Sequence, residues 1–192
     1  SLFTKMPGAL DDEHFANLRA LYAWMWAHPG RQLFFMGGEL GERREWSHER
    51  SLDWDLLRDP RHAGLLRLVG ELNAVQAAHP ALFASDSDPS AFRWLEVDDH
   101  ERSMFAFQRL AAGGDDLVVC VANLGGIPQH GYRVGLCRPG RWKAALTTDD
   151  KRFAGHGGWG GDLEAEAVPW QGCDHSAVVT MPQLSVLYLV PA

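Results

Sequence analysis

The stretch from Leu33 to Trp54, LFFMGGELGERREWSHERSLDW, concentrates the side chains best suited to chemistry. It brings together Glu39, Arg43, Arg44, Trp46, His48, Arg50, Asp53 and Trp54. Tryptophans beside carboxylates and guanidiniums suit a sugar, which offers apolar ring faces to an aromatic plane and hydroxyl edges to charged groups. Glu39, Arg44, Trp46 and Trp54 are therefore the substrate-binding candidates. Trp46 and Trp54 are expected either to stack on a sugar ring or to pack the loop onto its support. Glu39 is expected to be a structural carboxylate paired with Arg43 or Arg44, with acceptance of a sugar hydroxyl as the alternative. Arg44 and Asp53 are expected to form an ion pair that shapes the loop. Gly37 and Gly38 are read as turn residues with positive φ.

Other chemistries find no footing. No second carboxylate is organised opposite Glu39 as a catalytic partner. His28 and His48 have no companion ligand at metal spacing, so no metal and no cofactor is expected. The glycine-rich run Gly155–Gly161 fits no phosphate-binding spacing and reads as a hairpin loop. Ser, His and Asp are present without a nucleophile-elbow pattern. The formal net charge of −7 argues against a nucleic-acid surface. No apolar run approaches the roughly 20 residues of a membrane span. Cys120, Cys137 and Cys173 are odd in number and widely spaced, which reads as buried thiols in a reducing cytoplasm. A chain opening on Ser1, with no leader, is expected to be missing or to have lost its true N-terminus.

The elements that must position the loop divide the chain into two textures. Apolar residues recur at helical spacing from Asp11 to His28, with Asp11 or Asp12 as the expected cap and Pro29-Gly30 as the stop. Leu33–Met36 reads as a buried strand, because four consecutive apolar residues leave no solvent face. A second helix is expected over Arg61–Ala78, between Pro60 and Pro80. Helix, strand, loop and helix form a fragment of a (β/α)8 barrel, whose active-site face is built by such Gly-turned loops. Two helices and one strand cannot close a core by themselves, so Asp11–Ala78 is expected to be poorly stable alone. After the polar linker Ala84–Ser90 come short strands at Phe92–Val97, Ser103–Leu110, Leu117–Asn123, Tyr132–Leu136, Trp142–Leu146, Ala177–Met181 and Ser185–Val190, separated by Gly and Pro turns. The fold class is thus α/β plus all-β: barrel-end repeats over residues 1–83, then an antiparallel β-sandwich over 91–192. Of the eight tryptophans, Trp24, Trp26, Trp94 and Trp142 are expected in the core, and Trp159 is expected to be the most exposed of those in the sandwich.

Longer blocks carry a specific likeness. SLFTKMPG (1–8), FANLRALYAWMWAHPG (15–30), LFFMGGELG (33–41), REWSHERSLDW (44–54), RHAGLLRLVGELN (61–73) and HGYRVG (130–135) closely resemble the C-terminal part of bacterial 1,4-α-glucan (glycogen) branching enzymes of the α-amylase superfamily. The resemblance implies cleavage of an α-1,4 glucan and transfer of the freed segment to a 6-hydroxyl by retaining double displacement. It also implies that the nucleophile, the acid/base and a third, stabilising acid all precede the block matching Ser1, so no catalytic residue lies in this chain. The implied partners are α-glucan and the remaining, N-terminal part of the barrel; the implied location is the cytoplasm. Branching enzymes commonly read Gly-Gly-Glu-Phe-Gly-Gln-Trp where this chain has Gly37–Arg43, so Leu40 replaces an aromatic and Arg43 a tryptophan. A different preferred glucan length follows if that tryptophan stacks on sugar. A related amylase-superfamily hydrolase and a non-catalytic glucan-binding protein are the alternatives.

Overall fold

The computed structural model describes residues 1–159 and 161–192. Helix α1 spans Asp11–Ala27 and α2 spans Pro60–Ala78. Eight strands follow: β1 (Phe92–Asp99), β2 (Met104–Leu110), β3 (Leu117–Asn123), β4 (Gln129–Leu136), β5 (Gly140–Thr147), β6 (Asp162–Ala165), β7 (His175–Met181) and β8 (Ser185–Pro191). They form a six-stranded sheet in the order β1-β2-β3-β8-β5-β6 and a two-stranded sheet β4-β7, with every pairing antiparallel. The larger sheet is the middle layer. One face packs on the smaller sheet and the other on the two helices.

Side-chain alternation explains how the middle layer serves both neighbours. In β3, Val118, Cys120 and Ala122 face the helices, while Leu117, Val119 and Val121 face β4-β7. In β8, Val186, Tyr188 and Val190 face the helices, and Leu187 and Leu189 face the smaller sheet. Burial on both faces is why these two strands are near-continuous apolar runs. The first core joins Phe15, Leu18, Tyr22 and Trp26 of α1 and Leu65, Leu68 and Leu72 of α2 to Phe107, Cys120 and Tyr188. The second surrounds Trp142 between the sheets.

The cover that the two helices cannot give each other comes from the sandwich. Directed hydrogen bonds reinforce the contact. Tyr188 Oη donates to the Ala23 carbonyl, Arg19 Nε to the Thr148 carbonyl at 3.1 Å, and Arg109 Nη1 to the Ala27 carbonyl at 2.8 Å. Trp26 Nε1 ties α1 to α2 through Asn73 Oδ1 at 3.0 Å.

The helix limits match their sequence signals at most ends. Asp59 caps α2 by accepting from the Arg61 N–H at 2.9 Å, and Pro60 occupies the first helical position, where no N–H is needed. The Arg61 guanidinium bonded to it, acting against partial burial, holds the Asp59 carboxyl down at about 2. At α1 the cap differs from expectation. Leu10 occupies the cap position and has no acceptor, so Asp11 and Asp12 lie in the first turn, where they complement the helix dipole. Glu13 reaches back instead, accepting from the N–H groups of Ala9 (2.7 Å) and Leu10 (3.2 Å). This is the acidic half of a capping box without its hydroxyl partner.

The segment Leu33–Met36 is not a strand. It has no ladder partner, Met36 already lies in the turn that leads to Gly37, and Leu33, Phe35 and Met36 are 88%, 65% and 60% exposed. Only Phe34 turns inward, edge-on to Tyr22 and Trp26 at centroid distances of 4.9 and 5.7 Å. No neighbouring strand offers it a ladder: the Phe35 carbonyl accepts from the Gly38 N–H of the following turn at 2.8 Å, and every strand in the described residues lies in the two sheets. Strand β6 was not expected; its Asp162–Ala165 run is too short and too polar to show alternation.

Cys137 and Cys173 form a disulfide, which corrects the reading of three buried thiols; Cys120 alone is free and buried. Residues 36 apart in sequence meet because β4 pairs with β7, placing Leu136 opposite His175. Trp26 and Trp142 are core residues as expected, but Trp94 is 38% exposed on the edge strand β1. Trp94 instead stacks on the half-buried Trp24 of α1. Trp159 is half-buried against the second core and is less exposed than Trp170.

Candidate functional site

The loop between Met36 and α2 folds through two short 3-10 turns, Gly38–Leu40 and Trp54–Arg58. Gly37 (φ 79°) and Gly41 (φ 64°) bracket the first turn in left-handed conformations. Gly38, expected to share that conformation, does not. A side chain there would press on the Phe34 ring at 3.3 Å, so close packing is what the position demands. Tyr22 Oη donates to the Gly38 carbonyl at 2.8 Å and fixes the turn to α1. Burial, then the negative charge of Glu39, raises the Tyr22 hydroxyl pKa above its usual value, keeping it a donor.

Glu42 holds the loop closed. Its Oε1 accepts from the Asp53 N–H at 2.6 Å, bridging residues 11 apart. Sequence reasoning missed this, since a carboxylate among several charged neighbours gives no signal of a distant backbone partner. Arg44 Nη2 meets Asp53 Oδ2 at 3.0 Å, the pair expected from the sequence. The two anchors converge on Asp53, one through its backbone and one through its side chain.

Neither arginine reaches Glu39. Arg43 makes a two-pronged contact with Asp11, at 3.1 and 2.6 Å, and its guanidinium lies 4.6 Å from the Phe3 ring centroid. The Arg43 bond lowers the Asp11 carboxyl pKa. Among the described residues Glu39 has no ion pair, so the pairing with Arg43 or Arg44 is corrected. It is a half-buried carboxylate at the turn, next to Tyr22.

Arg44 and Trp46 line one cavity of about 270 Å³, walled by Tyr22, Leu33, Phe35 and Met36. Trp46 stands edge-on to Phe35 at 5.6 Å and is 46% exposed. Trp54 is 58% exposed on the second turn and does not line this cavity, nor does Glu39. The structure thus unites two of the four candidates. Trp54, exposed on the second turn, and Glu39, half-buried on the first, stand outside the cavity. An aromatic plane, a guanidinium and an apolar floor can hold one sugar ring by face and edge. Among the described residues no group of three or more His, Cys, Asp or Glu side chains stands close enough to hold a metal ion.

Middle sheet, small sheet and apolar inner faces define an all-β sandwich domain. Residues 94–192 match the α-amylase C-terminal all-beta domain, and the chain belongs to that family. Its curated relatives are more particular. It is 45% identical over 190 residues to the 1,4-alpha-glucan branching enzyme GlgB of Aquifex aeolicus, covering 98% of this chain and 30% of the relative. The GlgB proteins of Myxococcus xanthus and Leifsonia xyli are 45% and 48% identical, covering 100% and 98% of this chain and 26% of each relative. The chain therefore spans between a quarter and a third of the length of these relatives. Among solved structures, AmyP in complex with maltose superimposes with a TM-score of 0.63 over 92% of this chain and 35% of that one. At 12% identity this likeness concerns the fold alone.

Proposed function

We propose that this chain is the C-terminal part of a 1,4-α-glucan branching enzyme and acts only in company with the catalytic part that precedes it in the relatives. The observation that carries the reading is identity of 45–48% extending over nearly all 192 residues, helices and loop included, rather than over the sandwich alone. On this reading residues 1–83 supply the last repeats of the (β/α)8 barrel and residues 91–192 the sandwich that braces them. The Leu33–Met36 segment supports it: an apolar run that forms no ladder and leaves Leu33, Phe35 and Met36 exposed is what a barrel strand would become without the strands on either side.

The role follows from chemistry. A retaining transferase must hold a glucan while a sugar hydroxyl, rather than water, attacks the glycosyl-enzyme. The catalytic carboxylates belong to the preceding part. Arg44, Trp46 and Trp54 then contribute glucan contacts beside them, and Glu39 supports the turn. The protein acts in the cytoplasm on α-glucan, without nucleic acid or membrane as a partner. Among the described residues no helix is long and apolar enough to cross a membrane.

Trp46→Ala should weaken binding of maltoheptaose by about tenfold, the loss of one stacking contact of about 1.4 kcal/mol. Calorimetric titration of the parent chain and the variant measures this. An unchanged affinity for Trp46→Ala, or no binding by the parent chain, removes the loop from the glucan path.

A further inference from the structure

The disulfide sits where a structural staple is least needed. Cys137 directly follows β4 and Cys173 precedes β7, so the bond closes the end of a two-stranded ladder already in register from Tyr132 to Leu136. What it holds beyond that ladder is the short turn Trp170–Cys173, whose two ends exchange backbone hydrogen bonds at 3.0 and 2.9 Å. Trp170 is exposed on this turn.

Arg93 of the edge strand β1 reaches the same place from the other sheet. Its Nη2 donates to the carbonyls of Gln171 (3.2 Å) and Gly172 (2.6 Å), and its Nη1 lies 3.8 Å from Cys137 Sγ. Gly172 is left-handed (φ 74°), and a side chain there would collide with that guanidinium. Gln171 completes the seat, accepting from the Gly135 N–H at 2.9 Å. Cys137 is half-buried and Cys173 is buried, so the residue beside the cation is the more accessible of the two. A thiolate next to a guanidinium is stabilised, which favours both its release and its re-attack.

We propose that Cys137 and Cys173 form a reversible dithiol–disulfide latch on the Trp170–Cys173 turn, with Cys137 as the sulfur that exchanges with small-molecule thiols such as glutathione. A glutathione thiolate attacks Cys137 Sγ; the Cys137–Cys173 bond breaks and its electron pair leaves on Cys173, which takes a proton. A second glutathione thiolate attacks the glutathione sulfur of the mixed disulfide, releasing glutathione disulfide and leaving Cys137 as a thiolate beside Arg93. Two glutathione thiols are oxidised and one protein disulfide is reduced. Running backwards, the Cys137 thiolate captures the oxidant and Cys173 closes the latch.

The test equilibrates the 192-residue chain in glutathione buffers running from wholly reduced to wholly oxidised, approached from both ends. Alkylation and mass spectrometry then read each cysteine, and amide exchange reads the backbone. The latch requires a common midpoint inside this range for Cys137 and Cys173, with Cys120 unlabelled throughout. Reduction should speed exchange in residues 166–174 by about tenfold or more while β3 and β8 stay protected. Cys137→Ser should show the fast exchange in every buffer. Arg93→Gln should slow alkylation of Cys137 in the reduced chain by about tenfold at neutral pH. A pair that stays bonded or stays reduced across all buffers overturns the latch. So does conversion that leaves 166–174 unchanged, or that occurs only together with labelling of Cys120.

Discussion

Truncating Trp142 to alanine should destabilise the chain by about 3–5 kcal/mol, the cost of removing a large buried aromatic that its surroundings cannot collapse to replace. Trp142 has no exposed surface. It lies on β5 between Leu163 of β6 and Pro191 of β8, so it meets the edge and the centre of the larger sheet together. Its side chain belongs to the core that Val134, Leu136, Ala177 and Val179 of the smaller sheet complete. Its Nε1 donates to the Arg138 carbonyl at 3.3 Å, so the deletion also strands an acceptor. The expected loss is a large share of the roughly 5–15 kcal/mol by which domains of this size are stable. Urea denaturation followed by far-ultraviolet circular dichroism measures it; a loss below about 1 kcal/mol would show that the two sheets are not held by this residue.

Asp86→Ala is expected to cost about 3 kcal/mol, at the lower end for breaking a buried ion pair because Asp86 itself is partly exposed. The damage falls on its partner. Arg109 is fully buried on β2, and Asp86 is the carboxylate that meets its guanidinium. Arg109 also donates to the Ala27 carbonyl, the last residue of α1. One side chain thus joins the end of the helix, the connection between the two halves and the sheet. Removing Asp86 leaves a cation in an apolar site with no opposite charge. Adding Arg109→Met to Asp86→Ala should recover part of the loss, since the uncompensated charge is then gone. The same denaturation experiment on both single variants and the double variant closes the cycle. A double variant less stable than Asp86→Ala alone would mean that Arg109 acts through packing and its bond to Ala27, with its charge of little account.

Most of the sandwich was legible in the sequence because its strands obey local rules. β3 and β8 announced themselves as apolar runs bounded by Gly-Gly-Asp-Asp, Gly-Gly and Pro turns, and their observed limits are Leu117–Asn123 and Ser185–Pro191. The helix α2 was marked at both ends by proline. What failed were readings that depended on distant partners. Leu33–Met36 has the composition of a buried strand, yet composition cannot supply the neighbours a ladder needs. The cover of the helices was not legible because a periodic apolar stripe does not say which distant part of the chain will pack on it. Cys137 and Cys173 looked unrelated until β4 paired with β7.

The candidate site divides along the same line. Arg44–Asp53 was foreseen because opposite charges stood on one short loop, and it forms. Glu39 was assigned to the nearer arginines, but Arg43 turned to Asp11, 32 residues away, where bidentate geometry and the Phe3 ring favour it. Glu42 went unnoticed because its partner is a backbone N–H, which every residue carries. Trp46 and Trp54 were singled out for lacking an apolar stripe around them, and both are exposed.

Branch formation by this chain joined to the N-terminal part of a relative decides whether it is the C-terminal part of a branching enzyme. The 192 residues would replace the matching C-terminal segment of the Aquifex aeolicus branching enzyme. The products formed from amylose would be read by proton NMR for α-1,6 linkages, with the isolated chain assayed in parallel. The hybrid should form α-1,6 linkages, and the isolated chain should neither branch nor hydrolyse amylose. A folded hybrid that makes no branches, or an isolated chain that alters amylose by itself, would contradict that assignment.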